Sequence, residues 1–135
     1  MVTKEEISPK IKEVINSLIQ TGEIKNKEIM QLVKEIIAAF RHGNFNFAAQ
    51  KLVELKLKET ELLPESQIFQ NLRESWNDLK AKYSAEGKEI PEYVFSLFEE
   101  AIKLRRILYE KLQRKEPLTE LGQYTELYNQ IKALI

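Results

Sequence analysis

Asn26-Lys27-Glu28-Ile29-Met30-Gln31-Leu32-Val33-Lys34-Glu35-Ile36-Ile37-Ala38-Ala39-Phe40-Arg41-His42-Gly43-Asn44-Phe45 holds a start, an apolar stripe, a stop and a restart within one stretch. Ile29, Val33, Ile36, Ile37 and Phe40 recur at spacings of three and four, which puts them on one side of a helix, and Met30 and Leu32 widen that side. Gly43 can take the left-handed conformation that ends a helix, and Asn44 can cap the next one. Phe45 can close the corner, while Ala48 and Ala49 let two helices approach closely. The expected structure here is two amphipathic helices joined by a tight corner.

The same punctuation organises the rest of the chain. A first segment opens at Ser8-Pro9, a cap followed by a proline at the first helical position, carries Ile11, Val14, Ile15, Leu18 and Ile19, and stops at Gly22. The segment after Asn44 runs through Phe45, Ala48, Ala49, Leu52, Leu55 and Leu62 to Pro64. A fourth, from about Ser66, places Phe69, Leu72, Trp76, Leu79 and Tyr83 on one face and ends at Gly87. The fifth opens at Pro91 with Val94, Phe98, Ala101, Leu104, Leu108 and Leu112 and stops before Pro117, a strut of roughly 35 Å at 1.5 Å per residue. The sixth follows the cap Thr119 with Leu121, Tyr124, Tyr128, Ile131 and Ile135, and Gly122, inside its first turns, is the one glycine this scheme does not explain. No segment alternates as a strand does, and the short connections imply antiparallel neighbours. The expected fold is all-α, a compact and mostly antiparallel bundle of about six helices forming a single domain over residues 1–135.

Composition narrows the function classes. The 135 residues contain no cysteine, which excludes disulfides, thiolate nucleophiles and zinc held by cysteine and favours a reducing compartment. No apolar run approaches the roughly 20 residues that span a bilayer, and the first residues lack the pattern of a secretion signal, so a cytoplasmic protein with no membrane partner is expected. Twenty-one basic residues balance twenty-one acidic ones, so any attraction to nucleic acid would need a local patch. Asp78 is the only aspartate, and a glutamate-rich, lysine-rich chain suits helix interiors.

Little catalytic chemistry is encoded. The single histidine, His42, has no metal-ligand partner at the required spacing, and its place beside Gly43 reads as a helix-end cation that complements the dipole. The isolated glycines belong to no phosphate-binding loop. Glu99 and Glu100 are adjacent, so on a helix they diverge by about 100° and do not converge on a metal. Neither a cofactor, a metal nor an enzymatic activity is expected.

Two surface features carry binding chemistry. In the later half of the fifth segment Lys103, Arg105, Arg106, Lys111, Arg114 and Lys115 face only Glu110 as an opposing charge, with Tyr109 among them. Cations interleaved with an aromatic can grip phosphates and stack a base. The simpler reading is a solvated helix face, because Glu92, Glu99 and Glu100 lead and the cations trail, as the helix dipole prefers. Tyr124 and Tyr128 share one face of the last segment and form the candidate partner face, since such rings dominate interface hot spots. A protein partner or self-association is the preferred expectation, and single-stranded nucleic acid is the alternative.

Leu18 and Gly22 with Ile24, then Met30-x-Leu32-Val33-x-Glu35, then Phe45-x-x-Ala48-Ala49, and finally Trp76-x-x-Leu79-Lys80 follow one another in order. Through these elements residues 7 to about 83 resemble the helical domain shared by the steroid receptor RNA activator protein and the outer scaffold protein of secretory vesicle coats. That resemblance implies a helical scaffold. Arg41-His42-Gly43-Asn44-Phe45 and Glu92-Tyr93-Val94 are also similar to translin-like proteins, helical binders of single-stranded nucleic acid. Phe95 stands where nuclease-competent relatives carry a further glutamate, so this second resemblance implies binding without metal-dependent cleavage.

Overall fold

The computed structural model describes residues 2–60 and 72–135, the side chains of 59 and 60 apart. Over these residues the chain is all-α, with six α-helices, one short 3-10 turn and no strand. It divides into two compact units, Met1–Lys58 and Glu59–Ile135.

The first unit contains α1 (Lys4–Thr21), the 3-10 turn Glu23–Lys25, α2 (Lys27–Arg41) and most of α3 (Phe45–Thr60). α1 begins four residues ahead of the expected Ser8-Pro9 start, and the cause is local. The Thr3 hydroxyl accepts from the Glu6 amide at 3.2 Å, and Val2 and Ile7 on either side of that cap are both buried. A capped threonine bracketed by two apolar residues is a hydrophobic staple, and it fixes the entry of the chain into the helix. Pro9 therefore lies inside α1, exposed on its outer side.

α2 keeps the expected bounds. The Asn26 side chain accepts from the amides of Glu28 at 2.9 Å and Ile29 at 3.2 Å. Gly43, with φ of 73°, lets the Asn44 amide reach back to the Ala39 carbonyl at 2.9 Å, and α3 starts directly afterwards. α2 and α3 run antiparallel, as their side-chain pairs demonstrate. Glu28 pairs with Lys58, Glu35 with Lys51 at 3.5 Å, and the Phe40 ring meets Phe45 edge to face at 5.6 Å. Each step forward on α2 is thus matched by a similar step back on α3. Ile11, Val14 and Ile15 of α1 converge with Val33 and Ile36 of α2 and Leu52 and Leu55 of α3 on an apolar space too tight to admit a water. α3 buries Val53 and Leu57 as well as the expected Ala48, Ala49, Leu52 and Leu55, so more than one of its faces is covered. The expectations for Leu62, Pro64, Ser66 and Phe69 lie outside the described residues.

The second unit contains α4 (Leu72–Ala85), α5 (Glu92–Gln113) and α6 (Leu121–Ala133). Trp76, 1 % exposed, is its aromatic centre, with Phe98 perpendicular at 5.0 Å and Phe95 tilted at 6.2 Å. Burying rings of this size while keeping edge-to-face geometry adds roughly 0.5–1.5 kcal/mol per pair to the area term. A hydrogen bond between the Tyr83 and Tyr93 side chains joins the end of α4 to the start of α5, so these two helices are antiparallel. Lys82 near the end of α4 donates to the Leu134 carbonyl, just past α6, at 2.9 Å, while Lys111 and Glu120 join the other ends of α5 and α6. α6 therefore runs alongside α4 and back against α5. The antiparallel expectation holds for the successive pairs α4–α5 and α5–α6, while α4 and α6, joined end to end, are parallel. Gly122 is exposed in the first turn of α6, with open space where a Cβ would stand.

Candidate functional site

The basic stretch of α5 does not form one surface. Its helical periodicity turns Arg105 inward, where it is 4 % exposed and flanked by the buried Leu104 and Leu108. Lys111 is half-buried and donates to the Thr119 hydroxyl at 2.9 Å and to the Glu120 carboxylate at 2.5 Å. Both cations are therefore removed from the expected patch, one by burial and the other by its place in the α5–α6 connection. Tyr109 is half-buried. What stays exposed is Lys103, Arg106, Arg114 and Lys115, and Arg106 lies 4.0 Å from Glu110 one turn on. Arg114 caps α5, and Lys115 follows with φ of 57°, the sole non-glycine residue among those described that takes positive φ.

The expected partner face on α6 is also revised. Tyr124 is 3 % exposed, a core residue, because its place in the helix points it the same way as Ile131, which is fully buried. Tyr128 is half-buried, stacked on Tyr124 with ring centres 6.4 Å apart, and Lys132 lies over its outer side at 5.8 Å. Thr119, read from sequence as the cap of α6, instead hydrogen-bonds Glu120 at 3.0 Å, and α6 begins without a side-chain cap.

Two ionisable groups shift with this geometry. The Lys111 ammonium holds the Glu120 carboxyl below the usual carboxylate range, outweighing partial desolvation, which acts the other way. Burial pushes the Tyr83 phenol above its ordinary value, and the hydrogen bond with Tyr93 adds to the same effect. His42 is exposed at the end of α2, its amide donating to the Ala38 carbonyl at 3.1 Å.

The corner between α2 and α3 carries a feature that the helical pattern concealed. Phe45 was expected to close this corner, and it does so with Phe40. Phe47, two residues on, is 40 % exposed, with the Lys51 ammonium 5.3 Å from its ring centre. Lys51 is itself held between Glu35 at 3.5 Å and Glu54 at 3.3 Å. The signal in the sequence was phase: Phe47 lies on the opposite side of the helix from Phe45 and Ala49, off the stripe that marks the core. Other large apolar side chains exposed among the described residues are Ile19, Tyr93, Leu112 and Ile135.

Among the described residues no group of three or more His, Cys, Asp or Glu side chains is placed to hold a metal ion, and no helix is long and apolar enough to cross a membrane. No protein-family model, curated protein or solved structure matches the chain.

Proposed function

We propose that this chain is a non-enzymatic helical interaction module, a scaffold or assembly subunit that presents a helix surface to a protein partner. The observation that carries the reading is Phe47, a phenylalanine left 40 % exposed on a corner whose other rings, Phe40 and Phe45, are locked edge to face. Burying a large apolar side chain completely stabilises by about 1.5–3 kcal/mol, of which covering the exposed two fifths of Phe47 contributes roughly 0.6–1.2 kcal/mol, and that gain favours a partner seated on the corner. A photo-crosslinking residue placed at position 47, compared with one on the exposed outer side of α1 at Lys12, tests the reading. The expected result is a discrete crosslinked protein species from position 47 alone. Crosslinking to nothing from either position, together with a strictly monomeric particle in light scattering, overturns it.

A second reading is favoured by one observation. Lys103, Arg106 and Arg114 are all exposed and recur at helical spacing on the outer side of α5, which suits contact with the phosphates of a single-stranded nucleic acid. This reading predicts retention on an oligonucleotide at low salt and a shallower salt dependence once the three cations are neutralised. Absence of retention removes it.

A further inference from the structure

We infer that two copies of this chain associate by exchanging α6, each copy's α6 seating on the α5 of the other, with Lys115 to Pro117 as the hinge. The inference goes beyond the Phe47 reading and rests on other residues.

Strain at one helix end is the first argument. Past α2 the Gly43 amide donates to the Phe40 carbonyl at 3.1 Å and the Asn44 amide to the Ala39 carbonyl at 2.9 Å; past α4 the Gly87 amide donates to Ser84 at 3.0 Å and the Lys88 amide to Tyr83 at 2.9 Å. This pair of bonds needs a residue of left-handed conformation, and Gly43 and Gly87 supply it with φ of 73° and 66°. α5 ends on the same pair, the Lys115 amide to Leu112 at 3.2 Å and the Glu116 amide to Lys111 at 2.9 Å, yet the left-handed position holds a lysine. A cation there suits the helix dipole, but Lys111 and Arg114 already bring positive charge to that end. The closed α5–α6 turn therefore stores strain that its two counterparts lack. Pro117 disfavours helical backbone at Glu116, so the turn cannot move one residue onward to relieve Lys115.

The second argument is that α6 is the element such a hinge can release. α6 buries Tyr124 and Ile131, where α5 buries eight residues, and it starts without a side-chain cap. Its polar ties include Lys111 to Glu120 and Lys82 to the Leu134 carbonyl. Exchange remakes these contacts between copies, so the closed and exchanged forms differ chiefly at the hinge. A strained hinge between elements that keep their interface favours exchange, and the matching seat for α6 is found on a second copy of the chain.

The chain has no cysteine, so a pair introduced by Lys111→Cys and Glu120→Cys marks the α5–α6 contact without ambiguity. Parent and variants are refolded from urea at high protein concentration and sized by light scattering; the cysteine pair is then joined with a short bis-maleimide and run on a denaturing gel. The expected result is a dimer in solution that the double variant locks covalently and either single-cysteine variant does not. Helical dichroism equal to the parent's confirms that each variant is folded. Lys115→Gly, which removes the strain from both hinges, is expected to lower the dimer association constant about tenfold. Lys115→Ala, which keeps the strain and removes the charge, should leave that constant unchanged. A particle that stays monomeric at every concentration overturns the inference, as does a dimer whose bis-maleimide links form within each copy, or one that Lys115→Gly does not weaken. The crosslinking test at position 47 decides the interaction-module reading separately.

Discussion

Lys115 takes a backbone conformation that costs an L-residue roughly 1–2 kcal/mol and costs glycine almost nothing. Glycine gives back part of that advantage through its freer unfolded chain. Lys115→Gly is therefore expected to stabilise the protein by about 0.5–1 kcal/mol in urea titration. Trp76→Ala acts in the opposite direction, because it removes the ring on which Phe95 and Phe98 pack; a loss of about 3–5 kcal/mol is expected in the same measurement. Glu120 gives a pH dependence. Its carboxyl is held below the ordinary range by Lys111, so its contribution to stability is complete above the unfolded-state pKa and disappears as pH falls through the lowered folded value. Melting curves of the parent and Glu120→Gln should differ at neutral pH and converge in acid. Tyr83 has the reverse sign, since its raised value favours the neutral phenol. Its contribution is present below the ordinary tyrosine pKa and lost as pH rises through the folded one, and Tyr93→Phe should bring the ultraviolet titration of Tyr83 back toward an ordinary phenol.

At the scale of the helices, most boundaries were legible because glycine, proline and asparagine mark them with side-chain chemistry. Asn26 is one such marker. Asn26→Ala removes the acceptor for two amides and is expected to cost about 1 kcal/mol, with loss of amide-exchange protection confined to the first turn of α2. The missed start of α1 shows how two valid signals compete. Ser8-Pro9 fits the local rule for a helix opening, but Thr3 with Glu6, bracketed by Val2 and Ile7, satisfies two further conditions, capping and burial, and it prevails. The basic stretch of α5 lost two of its expected members, Arg105 and Lys111, for a different reason. Counting cations along a sequence takes no account of helical phase, and phase sends Arg105 inward while the return of α6 brings Glu120 to Lys111. The first error was avoidable from periodicity alone; the second needed the pairing of helices distant in sequence.

For the molecule as a whole, the all-α class and the antiparallel pairing of α2 with α3, of α4 with α5 and of α5 with α6 followed from spacing and short connections, whereas the division into two units did not. That division falls between Lys58 and Glu59, within α3, where no glycine, proline or change of composition marks it. Helical hairpins built from sequence neighbours have low contact order, so refolding from urea in a stopped-flow instrument is expected within milliseconds. A main phase lasting seconds would contradict the hairpin pairing described above.

The matched ladder of contacts between α2 and α3 has a bearing on which changes of length the chain tolerates. Adding one residue in the middle of α2 would rotate everything beyond it by about 100°, leaving Glu28 opposite Lys58 but carrying Glu35 and Phe40 away from Lys51 and Phe45. The same addition between Gly87 and Pro91, in the connection ahead of α5, would leave every helical phase intact. Insertions and deletions among descendants of this sequence should therefore collect in the connections and spare the hairpin, whatever substitutions its outer faces accept.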